Sequence, residues 1–169
     1  MKNNLILIGM PGVGKSTIGV ILAKILGYHF IDSDLVIQQQ EQRLLREIIE
    51  AEGIDGFLSI ENRVNTGLTP AKSIIATGGS AVYGKEAMEH FQEIGHLIYL
   101  HLDFPYLQKR LGDIKNRGVV IRPGQTLAEL YNERRPLYEK YADMIIDERD
   151  LNPEETIEAI IDSLKNWAL

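Results

Sequence analysis

Short apolar runs alternate along this chain with longer stretches in which apolar residues recur every three to four positions. The runs at 5–8 (Leu-Ile-Leu-Ile), 29–31, 73–76, 96–102 and 144–146 are apolar or β-branched, the pattern of buried strands. Helical spacing predicts helices over 15–26, 34–40, 44–52, 55–66, 85–94, 105–111, 127–141 and 153–165. Strand alternating with helix predicts an α/β fold, a three-layer sandwich around a central five-stranded parallel sheet. Pro153 suits the first turn of the last helix, where its missing N–H costs nothing, and Asn152 before it suits a cap.

One stretch breaks the alternation. Residues 112–126 hold three glycines, one proline and two arginines with no clear period. A loop of this length in a small domain is functional or disordered. Being basic and followed by a helix, it reads as a lid closing over a nucleotide. There is no repeat, low-complexity tract or linker, so residues 1–169 are expected to form a single domain.

Composition narrows the class. Apolar residues make up 44% and charged residues 25%, ordinary for a soluble globular protein. A net charge of −6 argues against nucleic acid as a partner. Basic residues nevertheless gather between Lys109 and Arg135, which suits a small anionic substrate. The absence of cysteine excludes disulfides and zinc–thiolate sites. No apolar run approaches the ~20 residues that span a bilayer, so no membrane partner is expected. The N-terminus enters a strand without a signal-peptide pattern, and a cytoplasmic enzyme is the expectation.

The chemistry is concentrated at a few strand ends. Residues 9–16 read Gly-Met-Pro-Gly-Val-Gly-Lys-Ser, a complete G-x-x-x-x-G-K-S phosphate-binding loop between an apolar strand and an amphipathic helix. Its glycines let successive N–H groups converge on one anion, and the helix N-terminus adds a favourable dipole. Lys15 reaches the outer phosphates and the Ser16 hydroxyl ligates Mg²⁺. Asp32-Ser33-Asp34 follows the second strand, at the end where open α/β sheets bind ligands. One carboxylate there serves Mg²⁺ or its water and the other accepts a substrate proton, while Asp32 or Ser33 also suits a helix cap. Thr77-Gly78-Gly79-Ser80 follows the third strand, where glycines bring backbone N–H groups close to a ligand. Arg134 lies on the helix after the lid and suits bidentate recognition of an anion, with Pro136 marking a kink that aims it inward. The four histidines share no metal spacing, His29 and His101 read as structural, and Trp167 is expected to pack on the core surface.

In this order the motifs resemble the shikimate kinase family, within the nucleoside monophosphate kinase-like group of P-loop proteins. The resemblance takes in the loop at 9–16, Asp32-Ser33-Asp34, Phe57-Leu58-Ser59-Ile60-Glu61, Gly78-Gly79-Ser80, Arg122-Pro123, Arg134-x-Pro136-Leu137-Tyr138 and Pro153. It implies a P-loop fold with a lid at about 112–126 and substrate-binding helices over about 34–66. It also implies a monomeric ATP- and Mg²⁺-dependent kinase acting on a hydroxylated acid, shikimate. Gly12, Val13, Gly14, Lys15, Ser16 and Thr17 would bind the nucleotide, with Lys15 on its β- and γ-phosphates. Ser16 and, through water, Asp32 would serve Mg²⁺. Asp34 would bind the acceptor hydroxyl and act as base. Gly78 and Gly79 would contact the acceptor through their backbone, and Arg134 would pair with its carboxylate. Arg122 would reach both the transferred phosphate and the acceptor, and Arg110 and Pro153 would sandwich the adenine.

Three positions depart from the family pattern. Leu58 stands where the family carries a second arginine on the substrate carboxylate, Ser80 replaces a third glycine, and Gly124-Gln125 replaces two leucines. Losing one charged contact to a buried carboxylate costs on the order of 2–5 kcal/mol, roughly 30- to several thousand-fold in affinity. Arg63 and Arg46 are the nearby candidates to replace it, but Arg63 is expected on a different helix face from Leu58. Shikimate, another hydroxy acid or polyol, and a nucleotide-binding role without turnover therefore all stand at this stage.

Overall fold

A computed structural model describes residues 2–111, 119–165 and 167. Five strands form one parallel sheet: β1 (Asn4–Ile8), β2 (His29–Asp32), β3 (Ser73–Ala76), β4 (Gly95–His101) and β5 (Met144–Asp147). Their order is β2-β3-β1-β4-β5. Every residue of β1 and β3 is buried, as the unbroken apolar runs require of strands covered on both faces. The register sets Leu7 against both Ala76 and Ile98, so β1 and β3 end within a residue of each other while β4 runs on to His101.

The helices are α1 (Lys15–Leu26), α2 (Ser33–Glu41), α3 (Leu45–Thr66), α4 (Lys85–Ile94), α5 (Phe104–Leu111), α6 (Leu127–Tyr141) and α7 (Pro153–Leu164). A single 3-10 turn, Ala81–Tyr83, follows the Gly78-Gly79 segment and is not foreseen by periodicity. Helix α1 packs on β2, β3 and α7, while α4 and α6 pack on β4. The expected three-layer sandwich is the architecture observed. Among the described residues no helix is long and apolar enough to cross a membrane.

The two expected helices, 44–52 and 55–66, are the two halves of α3, which meet at a kink at Gly53, whose φ of 71° and ψ of 177° are not helical. Only glycine occupies that region readily, which is why the helical pattern falters there. Helix α6 runs through Pro136 without a break, and a Thr126–Glu129 capping box starts it. Asn152 caps α7 as expected, its Oδ1 accepting from Glu155 N at 3.0 Å, with Pro153 in the first turn. Trp167 packs against the main core and stacks on His96 at 4.5 Å.

A second, smaller core of Ile37, Ile48, Phe57, Val64 and Val120 joins α2 and α3 to the segment after residue 118. The expected lid thus lies partly outside the described residues, at 112–118, and partly in contact with the helices at 34–66.

Candidate active site

In sheet order β1 lies between β3 and β4, while the chain runs from β1 to edge strand β2. The reversal opens a crevice at the carboxyl ends of β1 and β3. A cavity of about 590 Å³ occupies it, lined among others by Lys15, Ser16, Asp34, Gly78, Gly79 and Arg134. Gly12, Gly14 and Thr17 also line it. Residues from near both ends of the chain thus converge on one space.

The loop between β1 and α1 owes its shape to three positive backbone angles, φ 144° at Gly9, 84° at Gly12 and 103° at Gly14, which side chains with a Cβ rarely adopt. Gly14 precedes α1 with no side chain capping it, so the first N–H groups of the helix face the cavity. Lys15 Nζ donates to the loop carbonyls of Gly9 at 2.7 Å and Met10 at 2.8 Å. Burial pulls its pKa down to about 8, opposed chiefly by the charge of Asp34, so it stays a cation at neutral pH.

Asp32 takes the helix cap weighed for it, and its second oxygen faces the Ser16 hydroxyl. Its Oδ1 accepts from Asp34 N at 3.0 Å and caps α2, while its Oδ2 accepts from Ser16 Oγ at 2.9 Å. A hydroxyl beside a carboxylate is a hard-oxygen pair that suits Mg²⁺, which takes one or two protein oxygens and fills its shell with phosphate and water. Among the described residues no cluster of three or more acidic or histidine side chains forms a metal cage. Asp34 points into the cavity, where burial, helped by the charge of Asp32, pushes its pKa up to about 6 against the pull of Lys15.

Gly78 is fixed by its surroundings. A Cβ there would stand 2.7 Å from both Asp34 Oδ1 and Glu61 Oε1. Glu61 is 1% exposed, and burial pushes its pKa up to about 7 although Ser80 Oγ donates to its Oε2 at 2.7 Å. The serine in place of a third glycine therefore holds one oxygen of this acid. Glu61 closes the 57–61 motif, which gives it no role of its own. The signal that marks it is spacing, because it shares an α3 face with buried Phe57 and Val64, four residues before and three after it.

Arg134 is also 1% exposed. Its Nη2 donates to Val120 O at 2.7 Å and its Nε to Tyr83 Oη at 3.3 Å, with the guanidinium 5.3 Å from the Tyr83 ring centre. Its Nη1 has no partner among the described residues and lines up with Gly79, where a Cβ would approach within 3.0 Å. Tyr138, one turn on, donates to Gly79 O at 2.5 Å and ties α6 to the same segment.

Arg122 stands elsewhere. It is exposed and paired with Asp55 of α3 at 2.7 Å, outside the cavity lining. It borders a small hollow of about 40 Å³ together with Leu58, Tyr83 and Arg134. Leu58 lines this hollow rather than the cavity itself. Arg63 is turned away onto Glu41 at 2.5 Å, and Arg46 is exposed; neither lines the cavity.

A second pocket of about 400 Å³ adjoins the other side of the loop. Val13, Gly14, Thr17, Arg110 and Pro153 line it, so both residues expected around the base are there. So is Glu148, which no sequence pattern singles out. Burial pushes its pKa up to about 7 against Arg110 and Lys15.

The comparisons with known proteins agree with this geometry. The family model described as shikimate kinase matches residues 11–165. Shikimate kinase 2 of Yersinia pseudotuberculosis is 34% identical, the match covering 97% of each chain. The solved shikimate kinase from Acinetobacter baumannii in complex with shikimate superposes with a TM-score of 0.87 at 30% identity, covering 100% of this chain and 97% of that one. That from Aquifex aeolicus gives 0.84 at 31% identity, with 98% of each chain covered. A phosphate loop, Asp34 and a buried guanidinium converging on one cavity, in a chain matched over 97% of its length at this identity, place it in one family: the chain belongs to the shikimate kinases.

Proposed function

We propose that this chain transfers the γ-phosphoryl group of ATP to a hydroxyl of shikimate, with the nucleotide along the N-terminus of α1 and the acceptor between Asp34 and Arg134. The observation that carries the reading is the buried Arg134 with a free Nη1 in the same cavity as Lys15 and Asp34. A donor fixed on its other two nitrogens recognises a carboxylate without first being ordered.

Each group has a task that its environment supports. Lys15 exchanges the carbonyls of Gly9 and Met10 for the outer phosphates, and its charge follows the transferred group. Ser16 and Asp32 would hold Mg²⁺, which would supply charge neutralisation at the phosphates. Asp34 orients the acceptor hydroxyl and takes its proton; a carboxylate titrating near 6 is mostly ionised at neutral pH yet basic enough to help. Gly78 and Gly79 let the acceptor lie close against the backbone. Arg122 leaves the exposed Asp55 and turns inward over the site. Closure excludes water, which would otherwise compete as acceptor.

A second reading, a related hydroxy acid as acceptor, draws on Leu58, since Arg134 is the only arginine lining the cavity among the described residues. ADP release measured with shikimate and with a panel of hydroxy acids decides between them. Turnover with shikimate at micromolar to millimolar concentration supports the first reading, and turnover only with another acid supports the second. Lys15→Ala is expected to abolish release with every acceptor; a variant that keeps most activity would refute the site.

A further inference from the structure

We infer that Glu148 is a positioning residue for the nucleotide base, holding the Arg110 guanidinium as a preset wall of the base pocket. The inference rests on the proposed placement of the nucleotide, with its base in the pocket beside α7.

Glu148 directly follows β5, and its backbone N donates to His101 O at 2.8 Å, which fixes it against the end of β4. Its side chain is 1% exposed, and Oε2 accepts no hydrogen bond among the described residues. The cation it faces is Arg110 Nη1, at 3.5 Å. Arg110 comes from the last turn of α5, its side chain is 38% exposed, and the same Nη1 donates to Val13 O at 3.3 Å. The guanidinium thus spans from the phosphate loop to the end of β5, along a pocket whose lining also includes Pro153 and Thr156.

A carboxylate this deeply buried is costly unless something uses it. Phosphoryl transfer does not use it, because Glu148 does not line the cavity that holds Asp34 and Arg134. What it does touch is a half-exposed arginine, a side chain with several free torsions. Held at one end by Val13 O and drawn from below by Glu148, the planar guanidinium is already in place when a flat heteroaromatic base arrives. Stacking on a preset plane loses less rotamer entropy than stacking on a free one. The ligand class is therefore the base of a nucleoside triphosphate, and Glu148 acts on it only through Arg110.

The test uses the full chain, calorimetry with magnesium–ADP, and steady-state kinetics. Glu148→Gln is expected to raise the Kd for magnesium–ADP and the KM for ATP about tenfold, the size of one charge-assisted contact. The acceptor KM should stay put, a quantity that a general loss of folded structure would also move. Arg110→Ala should weaken nucleotide binding by at least as much, and the double variant should be no weaker than Arg110→Ala alone. Unchanged ADP binding in Glu148→Gln overturns the inference while leaving the nucleotide placement intact. A Glu148→Gln effect that persists in the Arg110→Ala background also overturns it, since Glu148 would then meet the nucleotide directly. If Arg110→Ala itself leaves ADP binding unchanged, the base does not lie in this pocket and the placement beneath the inference fails with it.

Discussion

At the scale of single residues, Asp34 carries the sharpest expectation. Its carboxyl sits between Lys15, which favours its charge, and burial beside Asp32, which opposes it; the balance leaves it near 6. A base must be ionised, so turnover should fall as pH drops through about 6, in proportion to the protonated fraction. Asp34→Asn removes the base and keeps the shape. Its rate should drop at least a hundredfold, with the acid limb of the pH profile gone and magnesium–ADP binding kept within a few-fold. Rates at pH 5 to 8 with shikimate, alongside calorimetry of ADP, check this; loss of ADP binding instead would make Asp34 structural. Lys15 and Ser16 after β1, and Asp32 and Asp34 after β2, were legible in the sequence because a short fixed spacing from a strand end places each pair. Glu148 was not, because it stands in the run Asp147-Glu148-Arg149-Asp150, where nothing distinguishes an inward acid from its solvated neighbours.

At the scale of elements, the acceptor side is built by α3, and α3 is built around Gly53. Its backbone lies in a region open essentially to glycine, and a Cβ there would meet nothing within 4 Å. Gly53→Ala therefore isolates backbone strain from packing. It should cost about 1–3 kcal/mol, several degrees in melting temperature, and raise the acceptor KM more than that for ATP, because Phe57 and Glu61 follow on the same helix. Thermal melting with kinetics for both substrates measures it, and a variant as stable as the parent would show that the bend is not enforced by this residue. The helical period marked both halves of α3 and the break between them, and the angle of the bend is set by the backbone torsions of Gly53, which a period does not encode. Arg122 was legible as an arginine of the expected lid, but not its resting partner. The pair with Asp55 joins two exposed side chains and contributes little, so leaving it costs little. The bias between an outward and an inward Arg122 is then set by the substrate's charge.

At the scale of the whole molecule, three acids of the folded chain hold their protons more tightly than they would in water. Asp34 is raised from 3.8 to about 6, and Glu61 and Glu148 are each raised from 4.5 to about 7. The folded chain therefore keeps protons between about pH 4 and 7 that the unfolded chain has released. Their stabilising contribution is full below the unfolded values and is lost as pH rises through the folded ones. Lys15 works in another window. Lowered from 10.5 to about 8, it makes the unfolded chain the better proton binder from 8 upward, so stability recovers there. Glu41, Glu86, Glu129 and Asp147 are held below their ordinary values by hydrogen bonds and ion pairs, and their windows lie below pH 4.5. Between pH 5.5 and 7.5 only the raised acids act among these groups, and they act in one direction. The ligand-free protein should melt a few degrees higher at pH 5.5 than at pH 7.5, with the difference reduced in Glu61→Gln. Scanning calorimetry at the two pH values reads both. A higher melting temperature at pH 7.5 would mean that these acids are already ionised and compensated in the empty site.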